Sequence, residues 1–208
     1  MSPRLSRAEQ NDRNRALLLA AARRVFLARG YYAATLEQIA DEAGFSKGVV
    51  YSRFASKADM FLALLGERID ERAAQNADLA GRLAGTGDFT AIVDRAQEAD
   101  RAAPGWRLLV TEFRVHAARD PELNRRYAAL HARTVDRLAA ILAAISARGA
   151  DGLALPARQL AELILALEVG IALEQLANPD ALGGPELPVF DRLGDWLTAP
   201  LVPVPEER

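Results

Sequence analysis

Apolar residues recur along this chain at the three- and four-residue spacing of an α-helix, and strand-like alternation never persists. Glycine, proline and small polar residues interrupt the pattern and set the limits of the predicted helices. After a polar arm at 1–11, a first helix is expected to end at Gly30, and a second to lie between Thr35 and Gly44. The later helices are expected from Ser46 through Phe54 and near 57–82, 88–103, 105–119, 121–148, 156–177 and 187–198.

This pattern predicts an all-α protein with a small N-terminal head and a larger body. The head, residues 1–56, comprises a disordered arm at 1–11 and three short helices, and 57–84 form a linking helix. Residues 85–199 form the helical body. Residues 200–208 form a flexible tail, because its closely spaced prolines cannot continue a helix.

The composition excludes several classes of site. The chain of 208 residues has no cysteine, which excludes disulfides, thiolate-bound zinc, iron–sulfur clusters and cysteine catalysis. Because there are only two histidines, we expect no metal site and no cofactor. The N-terminus lacks the apolar segment of a signal peptide, and glutamates interrupt the most apolar stretch, 160–176. We therefore expect a cytoplasmic protein without membrane contact.

Charge is unevenly distributed along the chain. Residues 1–60 contain ten basic and six acidic residues, a net charge of +4, whereas the whole chain has a net charge of −2. A basic N-terminal region joined to an acidic body indicates that the N-terminal end meets a polyanion. The alternative is a solvated basic surface without a partner.

Two short helices joined by a tight turn suggest a helix-turn-helix. Ala40 is small enough for two helices to cross, Gly44 can take a positive φ in the turn, and Val50 can hold the second helix against the first. These positions alone leave an αα-corner of an ordinary bundle as the alternative.

A dense set of residues around this turn matches a known family. The matching residues are Ala21-Ala22, Phe26, Gly30-Tyr31, Ala34-Thr35, Ile39-Ala40, Ala43-Gly44-Phe45-Ser46-Lys47-Gly48-Val49-Val50-Tyr51-Ser52-Arg53-Phe54, Ser56-Lys57 and Met60-Phe61. Through them, residues 14–66 resemble the DNA-binding head of the tetracycline-repressor (TetR-type) family of bacterial transcription regulators. Residues 67–199 resemble the helical body of that family more loosely.

The resemblance implies contacts between the head and DNA phosphates. It assigns phosphate contacts to Thr35, at the start of the second helix, and to Tyr51 and Lys57. Ser52 and Arg53 are also assigned to the DNA surface, although many members carry an aromatic residue followed by histidine there.

The resemblance also places the first turn of the third helix in the major groove. Ser46, Lys47, Gly48 and Val49 form this turn. Lys47 can donate to guanine O6 or N7, Gly48 lets the backbone approach closely, and Val49 can contact a thymine methyl group.

In this family the body dimerises and binds an inducer. The helix at 156–177 is apolar nearly all round, so it must be covered on both sides. The residues assigned to the dimer interface are Leu163, Leu167, Gly170, Ile171, Phe190 and Trp196. The alternative is a central core helix of a monomer.

Four residues of the helix at 105–119 are candidates for lining the effector pocket. Trp106, Leu109, Phe113 and His116 share one face, which would suit a small, mostly apolar effector. The alternative is a set of core residues with a histidine at the edge. For Glu112 we favour a role in an ordinary ion pair over contact with the effector.

Together these features predict a dimeric repressor that binds a palindromic operator and is released by a small inducer. An enzyme is disfavoured because the chain has no phosphate loop, nucleophile elbow or HExxH motif. The remaining alternative is a DNA-binding architectural or adaptor protein that responds to no ligand.

Overall fold

The computed structural model describes residues 6–89, 98, 105–146, 153–178 and 180–181, and no strand occurs among them. The all-α prediction is therefore confirmed. The helix predicted near 187–198, the tail and most of the helix predicted at 88–103 lie outside the described residues. The helices with described limits are α1 (Arg7–Ala33), α2 (Leu36–Ala43), α3 (Lys47–Tyr51), α4 (Lys57–Leu83), α5 (Trp106–Ala117), α6 (Pro121–Ile145) and α7 (Ala157–Ala177).

Helix α1 begins earlier than predicted. The Ser6 hydroxyl accepts from the Glu9 backbone N–H at 3.2 Å, and the Glu9 carboxylate accepts from the Ser6 N–H at 2.7 Å. This capping box satisfies two N–H groups at the start of the helix, so 7–11 are helical and the predicted arm was wrong there. Near the other end, Gly30 takes φ 75° and breaks the helical path before a last turn to Ala33.

Helices α2 and α3 form the predicted helix-turn-helix. The Phe45 N–H donates to the Ala40 carbonyl at 2.9 Å and the Gly44 N–H to the Asp41 carbonyl at 3.1 Å. With Gly44 in the left-handed region, this is a Schellman motif that ends α2. Ala40 and Val50 are fully buried, so they hold the two helices together. Helix α3 ends at Tyr51, so it is shorter than predicted and Phe54 lies after its end.

The chain divides into two compact units that differ in their limits from the predicted domains. Within the described residues, the first unit comprises 6–70 and 105–130, and the second comprises 71–89, 131–146 and 153–178. Helix α5 thus belongs to the same unit as the helix-turn-helix.

Aromatic rings form the core of the first unit. The Phe61 ring stacks on Phe113 at 4.4 Å between centroids and meets Phe26 edge-on at 5.3 Å. The Tyr31 ring meets Phe113 at 5.0 Å. Helix α5 is therefore held against α1 and α4 by contacts between residues far apart in the chain.

The second unit has a separate apolar core. Phe89, Val135, Leu142, Ile145 and Leu160 are buried in it. Backbone bonds fix the turn after α4, since the N–H groups of Gly85 and Gly87 donate to the carbonyls of Ala144 and Ile145, both at 2.8 Å.

Candidate nucleic-acid interface

The first turn of α3 is presented outward by the helix-turn-helix. Val50 is buried against α2, whereas Ser46, Lys47 and Gly48 are exposed and Val49 is partly exposed. Burial of one side of so short a helix fixes its orientation, so its other side faces solvent. The four residues that the sequence places in the major groove are thus brought together on one accessible turn.

Thr35 caps α2 beside this surface. Its hydroxyl oxygen accepts from the Gln38 N–H at 3.2 Å, while the Gln38 side chain accepts from the Thr35 N–H at 3.1 Å. The hydroxyl oxygen accepts in this capping box, and the hydroxyl also bonds to the Glu37 carboxylate and lowers its pKa, so donation of the hydroxyl hydrogen to a phosphate remains a prediction.

The Tyr51 side chain is 51% exposed and carries a hydrogen bond that the sequence did not reveal. Its hydroxyl donates to Oε1 of Glu37 at 2.9 Å. This bond raises the pKa of Tyr51, because it favours the protonated phenol. The pKa of Glu37 is lowered by a bond to its own backbone N–H, then by the Tyr51 bond, and also by the charge of Lys47. Residues 14 positions apart on different helices give no sequence signal for this pairing.

Ser52 and Arg53 make contacts within the protein at the end of α3. The Ser52 hydroxyl donates to the Val49 carbonyl at 2.8 Å. The Arg53 guanidinium donates to the backbone oxygen of Asn11 at 3.2 Å and to its Oδ1 at 2.9 Å. Arg53 thus ties α3 to the start of α1, and a DNA contact from it would compete with these bonds.

The Lys57 ammonium group closes the end of α1. It donates to the carbonyls of Tyr31, Tyr32 and Ala34 at 2.7, 3.0 and 2.9 Å, and lies 4.7 Å from the centre of the Tyr31 ring. An ammonium group has three hydrogens, so these carbonyls occupy all of them. Burial lowers the pKa of Lys57. These contacts give Lys57 a structural role with which a phosphate contact from its ammonium group would compete, and that contact remains a prediction.

The predicted pocket residues lie in the core of the first unit. Phe113 and Leu109 are buried there, the Trp106 ring stacks on Phe61 at 6.3 Å, and the His116 ring lies 5.0 Å from Tyr31. These contacts favour the core alternative for all four, and contact with an effector remains a prediction.

Helix α7 leaves apolar residues uncovered. Leu163 is 57% exposed, Leu167 is 41% exposed, and Gly170 is also exposed. Ile171 is only 3% exposed in the single chain, before any partner binds, which is a correction to its predicted place in the dimer interface. Phe190 and Trp196 lie outside the described residues.

The described part of the chain lacks two further kinds of feature, a metal-binding cluster and a membrane-spanning helix. No group of three histidine, aspartate or glutamate side chains there is arranged to hold a metal ion. None of its helices is long and apolar enough to cross a membrane.

Curated relatives resemble this chain over part of their length. The HTH-type transcriptional activator FasR of Mycolicibacterium smegmatis is 49% identical over 59 residues, which cover 28% of this chain and 27% of FasR. The HTH-type transcriptional regulator YfiR of Bacillus subtilis is 31% identical over 133 residues, covering 61% of this chain and 64% of YfiR. The matched segments thus span less than two thirds of either relative.

A solved structure has a similar fold over nearly its whole length. The regulator FadR from Bacillus subtilis, solved in complex with stearoyl-CoA, superposes with a TM-score of 0.69 at 15% identity. The superposition covers 90% of this chain and 99% of that one.

Two family models match adjoining parts of the sequence. The model described as "Bacterial regulatory proteins, tetR family" matches residues 18–64, which contain the helix-turn-helix. The model described as "BetI-type transcriptional repressor, C-terminal" matches residues 85–188. Both describe regulators rather than enzymes. The second match alone covers half of the chain, and the first covers the helix-turn-helix. By these two matches, this protein belongs to the tetR family of bacterial transcriptional regulators.

Proposed function

We propose that this chain binds an inverted-repeat DNA operator as a homodimer and represses transcription from it. The exposed first turn of α3, fixed on α2 by Val50 and the Gly44 turn, is the observation that carries the proposal. A recognition helix that enters the major groove by its first turn is the docking mode of helix-turn-helix proteins. Repression is supported by the repressor-type model of the body, whereas the activator FasR is matched over only 59 residues.

The contacts proposed for the bases come from the first turn of α3. Lys47 donates to guanine, Val49 packs on a thymine methyl group, and Ser46 and Gly48 allow close approach. Thr35 and Tyr51 donate their hydroxyl hydrogens to phosphates. Lys57 and Arg53 are not included among the primary contacts, because carbonyls of α1 and Asn11 already accept from them.

Dimerisation is proposed to cover the apolar face of α7. Leu163, Leu167 and Gly170 share one face of α7 and are exposed in the single chain, and Leu173 and Leu176 are also exposed on this helix. A two-fold contact would bury the face on both copies and present two recognition helices to one duplex.

The effector is proposed to be a small, mostly apolar molecule bound by the body. The FadR structure, which shares this fold, holds stearoyl-CoA, a molecule with a long apolar chain. Binding of the effector would weaken operator affinity by the usual allosteric coupling of about 1–3 kcal/mol. The protein would act in the cytoplasm, where bacterial DNA lies.

The experiment that tests the proposal is selection of duplexes from a random pool by the full-length protein. We expect an inverted repeat whose half-site centres are about one helical turn, or a multiple of it, apart. Enrichment of no sequence, or of a single half-site, would contradict the proposal.

The alternative is an architectural protein that binds DNA without responding to a ligand. It is tested by measuring binding to the selected duplex in the presence of candidate effectors. A series of acyl-CoA compounds, with free coenzyme A as the control, should include members that raise the melting temperature and weaken DNA binding. No shift with any apolar compound of a wider screen would favour the architectural alternative.

A further inference from the structure

Glu37 places a negative charge among the residues proposed to contact DNA. It lies in the first turn of α2, two residues after Thr35, and its Oε1 accepts from the Tyr51 hydroxyl at 2.9 Å. The charge of Lys47 also acts on this carboxylate. A carboxylate is an unexpected group on a surface that must approach phosphates, and the role proposed for Tyr51 does not account for it.

The hydrogen bond of Tyr51 conflicts with a phosphate contact. A phenol has one hydrogen, so donation to a phosphate requires its release from Glu37. A phosphate oxygen within hydrogen-bond distance of the Tyr51 oxygen would lie no more than about 5.6 Å from the Glu37 oxygen. That separation is shorter than the screening length of about 8 Å at physiological salt, so the two negative charges repel each other.

We propose that Glu37 is an internal competitor of DNA, which holds the Tyr51 hydroxyl in the free protein and opposes phosphate contact in the complex. This inference rests on the proposed function. Because phosphate contacts are made on any sequence, Glu37 lowers the affinity for operator and for random duplex alike. A dimer has two heads, so the repulsion between Glu37 and a phosphate acts once at each head. The protein then needs its base contacts to remain bound, so a smaller fraction of it is bound to random DNA.

The test compares two changes that each remove one negative charge from α2. Glu37→Gln removes the charge beside Tyr51, and Asp41→Asn removes an exposed charge one helical turn further along. Affinities of the full-length protein are measured by fluorescence anisotropy on the selected operator and on a random duplex, over a series of salt concentrations. Melting temperatures of the free variants confirm that each is folded.

We expect Glu37→Gln to tighten binding by about 3- to 30-fold on both duplexes, from the repulsion of charges at this separation. Its plot of log affinity against log salt should steepen by up to about one unit per head. Asp41→Asn should change affinity by less than about 3-fold. Equal effects of the two variants, or weaker binding by Glu37→Gln, would overturn the inference.

A double-mutant cycle with Tyr51→Phe isolates the exchange of the hydroxyl. In the Tyr51→Phe background, Glu37→Gln should tighten binding less than it does in the parent protein, because no hydroxyl is left to release. An undiminished gain would contradict the exchange. If the parent protein binds neither duplex, the proposed function fails as well; if it binds and Glu37→Gln matches Asp41→Asn, only this inference fails.

Discussion

The carboxylate of Glu112 accepts a hydrogen bond from the backbone N–H of Tyr31 at 2.6 Å. Glu112 lies on α5, and Tyr31 follows the break in α1 at Gly30. A carboxylate at this point satisfies an N–H group that the break removes from the helical hydrogen-bond pattern. Glu112 therefore ties α1 to α5 through the backbone, which differs from the ion pair that the sequence favoured.

Gly30→Ala should destabilise the protein by about 1–3 kcal/mol, because Gly30 has φ 75° and the new Cβ would lie 2.9 Å from Oε2 of Glu112. Urea denaturation measures the loss. Gly81→Ala is the control, since no atom other than those of its neighbours and the local backbone of α4 lies within 4 Å of its Cβ position. That change should be neutral or stabilise by up to about 1 kcal/mol. Equal stability of both variants would show that Gly30 is not constrained.

Lys57→Met should destabilise the protein by about 1–3 kcal/mol, because it leaves the carbonyls of Tyr31, Tyr32 and Ala34 without their donor. Thermal denaturation measures this effect, with Lys47→Met as a control that should leave stability within about 0.5 kcal/mol. Salt dependence of DNA binding separates the two possible roles. An unchanged slope indicates a structural lysine, whereas a slope shallower by about one unit per head would restore a phosphate contact.

Asp59→Asn should lower stability at neutral pH by about 1 kcal/mol and much less at pH 3. Burial alone would raise the pKa of Asp59, but hydrogen bonds from Arg126 and Ser56 lower it below its ordinary value of 3.8. The carboxylate thus contributes stability above the unfolded pKa, and the contribution disappears as pH falls through the lowered value. Asp78→Asn, at an exposed pair with Arg82, should cost less than about 0.5 kcal/mol. A loss for Asp59→Asn that does not change with pH would refute the assignment.

Lys47→Ala should weaken operator binding by about 1–3 kcal/mol and relax the preference at one base position. Binding to random duplex should change little, because base contacts are absent there. Tyr51→Phe is the comparison, since loss of a phosphate contact should weaken both duplexes by the same factor. Anisotropy titrations at fixed salt measure the two ratios. Equal weakening of both duplexes by Lys47→Ala would show instead that Lys47 contacts a phosphate.

Leu167→Arg should dissociate the dimer, because the two-fold axis brings two unpaired charges into one contact at a cost of several kcal/mol. Sedimentation velocity at micromolar concentration measures the change from dimer to monomer. Val115→Arg places the same charge on an exposed apolar position of α5 and should leave the dimer intact. A parent protein that sediments as a monomer would contradict the proposed interface.

Local features of the head could be predicted because each depends on neighbouring residues. Thr35 caps α2 and Gly44 ends it, as the residue types require. The capping box of Ser6 and Glu9 is equally local, and its S-x-x-E spacing was visible in the sequence. The polarity of residues 1–11 suggests an arm, but the capping box starts a helix at Arg7.

The remaining features depend on residues that are distant in the chain. Phe113 packs on Phe61 across 52 positions, and no periodicity within a single helix indicates which helix it will meet. For the same reason, the sequence does not indicate the hydrogen bond from Tyr51 to Glu37 or the carbonyls that accept from Lys57. Helical spacing correctly placed Phe113 on a buried face, but could not distinguish a core from a ligand pocket.

The first unit is discontinuous in sequence, and this affects how regulators of this kind can be recombined. A chimera that takes only residues 1–70 from this chain would separate the Phe61 ring from Phe113, and the Tyr31 N–H from Glu112. The transplanted recognition helix would then be supported by a core in which some side chains come from the other protein. Exchange of DNA specificity between relatives is therefore better made by grafting the surface of α2 and α3, or by transferring 105–130 together with the head.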